Sequence, residues 1–88
     1  MPYFVYMLFS KKDQGLYVGC TTNPPKRLID HNYGKVQSTK NRRPLELIHL
    51  EEFNDKGKAF QRERFFKSLW SARIKKKILN SYIHEIGR

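Results

Sequence analysis

The sequence predicts an α+β fold, a three-stranded sheet with three helices packed on it, and three observations carry that prediction. Two apolar runs, Phe4-Val5-Tyr6 and Tyr17-Val18-Gly19, flank the polar stretch Ser10-Lys11-Lys12-Asp13-Gln14-Gly15, the pattern of two strands joined by a short loop. A cap residue followed by proline, in Thr22-Asn23-Pro24-Pro25, marks a helix start directly after the second run. Near the end of the chain Ile74, Ile78, Tyr82 and Ile86 recur at four-residue spacing, which is one stripe of a helix.

The first strand spans Tyr3 to Phe9 and the second Leu16 to Cys20. A four-residue loop from Lys11 to Gln14 pairs Ser10 with Gly15 and Leu8 with Tyr17, and alternation then places Tyr6 and Tyr17 on one sheet face. A five-residue loop would separate them, so register decides whether two hydroxyls converge. Strand 1 is apolar on both faces, which predicts a central strand covered on both sides. Helix 1 runs roughly from Pro24 to Tyr33, with Gly34 as its stop. Lys35 to Pro44 has no period and is expected to be an exposed loop, and Leu45, Leu47 to Leu50 and Phe53 form a third strand. Asn54 or Asp55 caps helix 2, which runs to about Leu69, and Ser71 caps helix 3. The pattern determines antiparallel pairing for the first hairpin alone.

With 88 residues, the chain is expected to be one domain spanning 1–88, with roughly 60 to 65% of its unfolded surface buried and no room for a second catalytic unit. Its single cysteine, Cys20, cannot form an intrachain disulfide, no spaced Cys and His set suggests zinc, and no apolar run approaches the ~18 residues of a membrane span. The Met1-Pro2 start lacks a signal-peptide pattern. The expectation is a soluble, cytoplasmic protein with no membrane contact. Lys and Arg number 18 against 8 Asp and Glu, a formal charge of +10 spread along the chain. Such a field attracts polyanions, nucleic acid first, while a surface kept soluble by charge or a ribosome-associated protein would show the same balance.

One carboxylate breaks the apolar pattern. Ala59, Glu63, Phe66 and Trp70 repeat at intervals of four, three and four, so Glu63 lies on the stripe of helix 2 that faces the sheet. It either pairs with Lys67 four residues on, for ~0.2 to 0.5 kcal/mol, or ligates a hard divalent cation that takes its other ligands from water and phosphate. Arg27 and His31 share a face of helix 1, where His31 could equally interact with the helix C-terminus. Phosphodiester cleavage needs an activated water, a Lewis-acid metal and a cation against the charge on phosphorus. Tyr6, Tyr17, Arg27, His31 and Glu63 could supply those parts. Tyr33 and Trp70 could stack on bases; Trp70 is read rather as core, and Tyr33 is left between the two readings.

In this order, Phe4-Val5-Tyr6, Tyr17-Val18-Gly19, Arg27 and Glu63 resemble the motifs of the GIY-YIG nuclease family, over about Tyr3 to Leu79. Gly19-Cys20-Thr21-Thr22, Arg27-Leu28 with His31-Asn32, Arg43-Pro44, and Ala59, Glu63 and Lys67 resemble the small stand-alone bacterial members. The resemblance implies a three-stranded antiparallel sheet flanked by helices. It also implies phosphodiester cleavage with one divalent ion, Mg²⁺ or Mn²⁺, in which Glu63 is the metal ligand and Arg27 contacts the scissile phosphate. Tyr17 matches the tyrosine proposed as general base or water-positioner, Tyr6 supports that network, and His31 matches a histidine suited to water activation or phosphate contact. An orienting role for the Tyr17 hydroxyl stands beside the base role because a phenol ordinarily titrates near ~10. Val5, Val18 and Gly19 are the structural members of the motifs.

Three positions depart from the family pattern. Phe4 replaces a glycine, Cys20 stands where some members have lysine, and Lys75 stands at the spacing of an asparagine found in repair-type members. The resemblance implies a DNA endonuclease with a role in repair or recombination, and because larger members bring a separate DNA-binding domain, weak affinity, structure-selective cutting or dependence on a partner is expected of this one. The alternative is a non-catalytic nucleic-acid-binding module that keeps the fold. Either reading uses Lys26, Lys35, Lys40, Arg42, Arg43 and Lys67 as phosphate contacts, favours DNA over RNA, and leaves a place for a protein partner that supplies specificity.

Overall fold

A computed structural model describes residues 1–86, without the side chain of Ile86, so the place of that residue in the helix 3 stripe lies outside the described residues. The elements in chain order are β1 (Tyr3–Ser10), β2 (Leu16–Thr21), α1 (Pro24–Asn32), β3 (Leu45–Phe53), α2 (Lys56–Phe66) and α3 (Ala72–Ile86), with short 3-10 turns at Lys40–Arg42 and Leu69–Ser71. The strands pair antiparallel in the order β2-β1-β3. The apolar β1 is central, as its two-sided pattern predicts. Among the described residues, no helix is long and apolar enough to cross a membrane.

Hairpin register follows the four-residue loop. Leu8 pairs with Tyr17 and Tyr6 with Gly19, and the Ser10 N–H donates to the Gly15 carbonyl at 2.9 Å. Asp13 and Gln14 make the turn, with Gln14 at φ 62 and the Asp13 carboxylate accepting from the Gly15 N–H at 2.7 Å. On the other side Met7 pairs with His49 and Leu8 with Leu47, so Ile48 is an extra residue that bulges β3.

Alternation along β1 divides the molecule into two layers. Val5 and Met7, with Val18 of β2, pack against Ala59 and Phe66 of α2, and Ile78 of α3 joins them. Tyr6, Leu8 and Leu45 form the opposite layer, with Leu28 of α1, Tyr17 and Leu47 against them. Asn23 caps α1 by accepting from the Lys26 N–H at 3.2 Å, and Gly34 takes the φ of +78 that ends it.

Five expectations need correction. Helix 2 stops at Phe66 rather than Leu69, because the Ser68 hydroxyl donates to the Phe65 carbonyl at 2.6 Å and the Ser71 hydroxyl to those of Phe66 and Ser68, both at 2.9 Å. Ser71 thus serves the end of α2 instead of capping α3, and Trp70, off the stripe, is 87% exposed rather than core. The apolar contact of α3 runs through Ile78 and Tyr82, while Ile74 is exposed. The segment from Lys35 to Pro44 is not uniformly exposed either, since Val36 and Thr39 are buried.

Candidate functional site

Tyr6 leaves β1 on the α1 side and lies across β2. Opposite it, a Cβ at Gly19 would sit 2.4 Å from both the Cζ and the hydroxyl of Tyr6, so only glycine leaves room for the ring. Tyr17 stands beside it with ring centroids 6.3 Å apart, and the His31 ring meets both tyrosines edge-on. The two hydroxyls differ. Tyr6 Oη lies 2.8 Å from His31 Nε2, whereas the Tyr17 hydroxyl has no hydrogen-bond partner among the described residues.

His31 is fully buried, and both ring nitrogens are occupied. Its Nδ1 lies 2.7 Å from Thr39 Oγ1, and the Thr39 hydroxyl lies 3.5 Å from the Val36 carbonyl. We assign the imidazole proton to Nδ1. Nδ1–H then donates to Thr39, Thr39 donates to Val36, and Nε2 accepts from Tyr6, so every donor in the chain has an acceptor. This bond to Thr39 is what draws the loop after α1 inward. It also leaves His31 without a nitrogen for phosphate or water, so the direct contact expected from the sequence is not what the geometry provides. His31 positions Tyr6 instead.

Burial holds the His31 imidazole at about 4, with the Arg27 guanidinium adding to the effect. Burial also pushes the Tyr6 phenol up to about 12, against a hydrogen bond from Arg27 that lowers it and with the Tyr17 phenol raising it. At neutral pH the pair is therefore a neutral phenol and a neutral imidazole, and Arg27 brings its cation to the Tyr6 hydroxyl.

That burial has a measurable consequence. An ordinary histidine titrates near ~6.5. Between that value and about 4 the unfolded chain binds a proton that the folded chain refuses, so stability falls as pH drops through this window and levels off below it. Asp13 and Glu51, both held below the ordinary carboxylate range, add acid sensitivity only further down. Urea unfolding of the wild type is expected to lose on the order of 2 kcal/mol between pH ~6.5 and ~4.5. His31→Phe should largely lack that slope, and equal slopes would show that His31 is not the titrating group.

Glu63 comes from α2, in the other layer, with Lys67 Nζ 3.0 Å from its carboxylate, so the intrahelical pair expected from spacing is present. Its charge acts to raise both the Tyr6 phenol, on one sheet face, and the Cys20 thiol, on the other. Because β2 is an edge strand, side chains of α1 and α2 can meet around it. Among the described residues no three His, Cys, Asp or Glu side chains gather as a metal cluster. One carboxylate in a basic setting is the donor set of a hard divalent cation that keeps waters and takes phosphate oxygens, so the residues fit such an ion.

The residues predicted to bind phosphate fall into two groups. Lys35 and Lys40 are exposed and form no ion pair among the described residues. Lys26 pairs with Asp30 at 3.3 Å and Lys67 with Glu63. Arg43 Nε donates to the Lys40 carbonyl at 2.8 Å, and its guanidinium lies over Gly34. Arg42 departs most from the expectation. It donates to both Asp13 carboxylate oxygens, at 2.6 and 3.3 Å, and to the Leu16 carbonyl, clamping the hairpin loop to the segment before β3. Its hydrogen bond is the main cause that lowers the Asp13 carboxyl to about 2.

Two features escaped the sequence reading. Thr39 carries no signal, being one hydroxyl in an aperiodic polar loop. Glu51 accepts from Arg62 Nε at 2.8 Å and lies 2.8 Å from His49 Nε2, while Arg62 stacks 4.4 Å from the Phe66 ring centre. Burial works to raise the Glu51 carboxyl, but the hydrogen bonds from Arg62 and His49 outweigh it.

Comparison with known proteins follows this geometry. The GIY-YIG catalytic domain family matches residues 2–77. A UPF0213 protein of Natronomonas pharaonis is 44% identical over 72 residues, covering 81% of this chain and 84% of that protein. The UPF0213 protein YazA of Bacillus subtilis is 45% identical over 75 residues, covering 84% of this chain and 71% of YazA. The solution NMR structure of a UPF0213 protein from Bacillus halodurans superposes with a TM-score of 0.56 at 33% identity, covering 91% of this chain and 84% of that one. With the match running from the residue before β1 into α3, this chain belongs to the GIY-YIG family of nucleases.

Proposed function

We propose that the protein is a metal-dependent endonuclease that hydrolyses phosphodiester bonds in DNA, selects its substrate by structure, and serves repair or recombination. The observation that supports this reading is the pairing of the Tyr6 and Tyr17 rings on one sheet face, with the charges of Arg27 and Glu63 both acting on the Tyr6 hydroxyl. GIY-YIG nucleases generally use a divalent metal, and Glu63 would hold one Mg²⁺ or Mn²⁺ ion. When bound, that ion supplies Lewis-acid stabilisation of the charge on the phosphate.

The chain's own residues do the rest. Arg27 sets a cation against the scissile phosphate, where charge grows during displacement. Tyr17, with its hydroxyl unpaired and half-buried, orients the attacking water or takes its proton. Tyr6 is pinned by His31 and packs beside the Tyr17 ring. Lys35 and Lys40 add phosphate contacts without sequence preference. On this reading the protein works in the cytoplasm as one domain, on DNA before RNA, and a protein partner supplies the specificity that its small surface lacks.

The test is cleavage of end-labelled single-stranded, duplex and branched DNA with Mg²⁺ or Mn²⁺, beside a Glu63→Ala control prepared identically. In the same assay Tyr17→Phe is expected to slow single-turnover cleavage by roughly 100-fold. Its stability should change by less than ~0.5 kcal/mol, because the lost hydroxyl has no hydrogen-bond partner among the described residues. Unchanged cleavage would remove Tyr17 from the mechanism.

A further inference from the structure

Leu69 and Trp70 are 94% and 87% exposed, an unusual display for two large apolar side chains in sequence. Their backbone is nevertheless held firmly. The 3-10 turn that carries them is tied down by the buried Ser71, whose hydroxyl donates to the carbonyls of Phe66 and Ser68, and by the hydroxyl of Ser68 on Phe65. The indole therefore projects from a fixed base.

Directly after it, α3 presents Arg73, Lys76, Lys77 and Asn80 at spacings of three, four and seven, so they share one side of the helix along ~10 Å. They line an open groove of about 490 Å³. Among the described residues none of Arg73, Lys75, Lys76 and Lys77 forms an ion pair, whereas Lys11, Lys26, Arg42, Arg62 and Lys67 each have a carboxylate partner. An exposed aromatic face next to a row of uncompensated cations matches a segment of nucleic acid with unpaired bases, because stacking requires a π-face that a duplex hides. A membrane surface fits less well. An interfacial helix needs a broad free apolar face, whereas on α3 Ile78 packs on the core and Tyr82 on Phe9, and the exposed Ile74 and Ile83, nine residues apart, lie on opposite sides of the helix.

We infer that Trp70 and the Arg73–Lys77–Asn80 side of α3 form a second nucleic-acid contact, which stacks an unpaired base and holds the phosphates beside it. It deepens the proposed nuclease reading by naming what the enzyme recognises, and it rests on that reading for the identity of the polymer. A nuclease with this contact favours branched or frayed DNA over continuous duplex.

Trp70 is the sole tryptophan, so its own fluorescence reports the contact. Glu63→Ala protein, which leaves DNA uncut, is titrated with a 20-nucleotide oligothymidylate, a 20-base-pair duplex and vesicles of anionic phospholipid. The expected result is quenching by oligothymidylate that weakens steeply with added salt, and little quenching by duplex. In anisotropy measurements with labelled oligonucleotide, Trp70→Ala and the double substitution Arg73→Glu, Lys77→Glu should each bind at least ~5-fold more weakly, with unfolding midpoints unchanged. Absence of quenching, or equal affinity for Trp70→Ala, overturns the inference. So does a blue shift with vesicles alone, or self-association that Trp70→Ala abolishes. Quenching without cleavage by the wild type would sink the nuclease reading and leave this contact standing, and cleavage without quenching would do the reverse.

Discussion

Glu63→Ala lowers metal-dependent cleavage by at least ~100-fold while fold and DNA affinity stay near wild type. The magnitude follows from scale, since loss of a partner one shell further from a metal already reduces affinity or activity ~10- to 100-fold, and here the proposed ligand itself goes. Stability should hardly change, because the ion pair of Glu63 is the solvent-screened i,i+4 contact with Lys67, worth ~0.2 to 0.5 kcal/mol. Affinity should persist because it comes from phosphate contacts that remain. Three readouts therefore have to separate: cleavage rate, urea midpoint and oligonucleotide binding. A mutant that cuts as well as wild type would take the carboxylate out of the reaction, and one that unfolds would make Glu63 a structural residue.

Gly19→Ala costs about 2 to 4 kcal/mol and most of the activity. No left-handed backbone is required at Gly19, since Gly34 is the glycine with positive φ, so a methyl group there acts through space alone. That methyl would lie 2.4 Å from the end of the Tyr6 ring, which is itself buried and bonded to His31. Overpacking of this kind costs ~1 to 3 kcal/mol, and expelling the hydroxyl from His31 adds ~0.5 to 1.5 kcal/mol. Urea unfolding and cleavage measured on the same preparation provide the check. Near-wild-type stability with full activity would mean that the Tyr6 ring does not need its seat over β2.

Much of the site was legible because its parts obey local periodicity. Strand alternation puts Tyr6 and Tyr17 on one face with a four-residue loop and on opposite faces with a five-residue one, and the observed pairing of Leu8 with Tyr17 selects the first. The spacing of Arg27 and His31 put them on one face of α1, and the misfit of a carboxylate on an apolar stripe singled out Glu63. Periodicity could not say how deeply any of them sits. His31 has the spacing of a surface ligand, yet it is buried under a threonine eight residues later in a loop with no pattern. Arg42 looks like a phosphate contact, but it is held by Asp13, 29 residues earlier. Trp70 belongs to the helix stripe only while the helix continues, and two serine hydroxyls end it first.

By itself the sequence determined the first hairpin, the central place of β1, the cap and stop of α1, the basic field, and the family to which the motifs belong, while the register of that hairpin came from the structure. These rest on neighbours within a few residues, where alternation, helical spacing and the conformational limits of proline and glycine act directly. Tertiary structure alone decided that one tyrosine hydroxyl is locked and the other open, that His31 is neutral and inward, that Arg42 clamps a loop, and that Trp70 faces solvent. Each of those depends on where distant segments return to meet, and a side chain's charge and partners are set by the burial and hydrogen bonds it finds there.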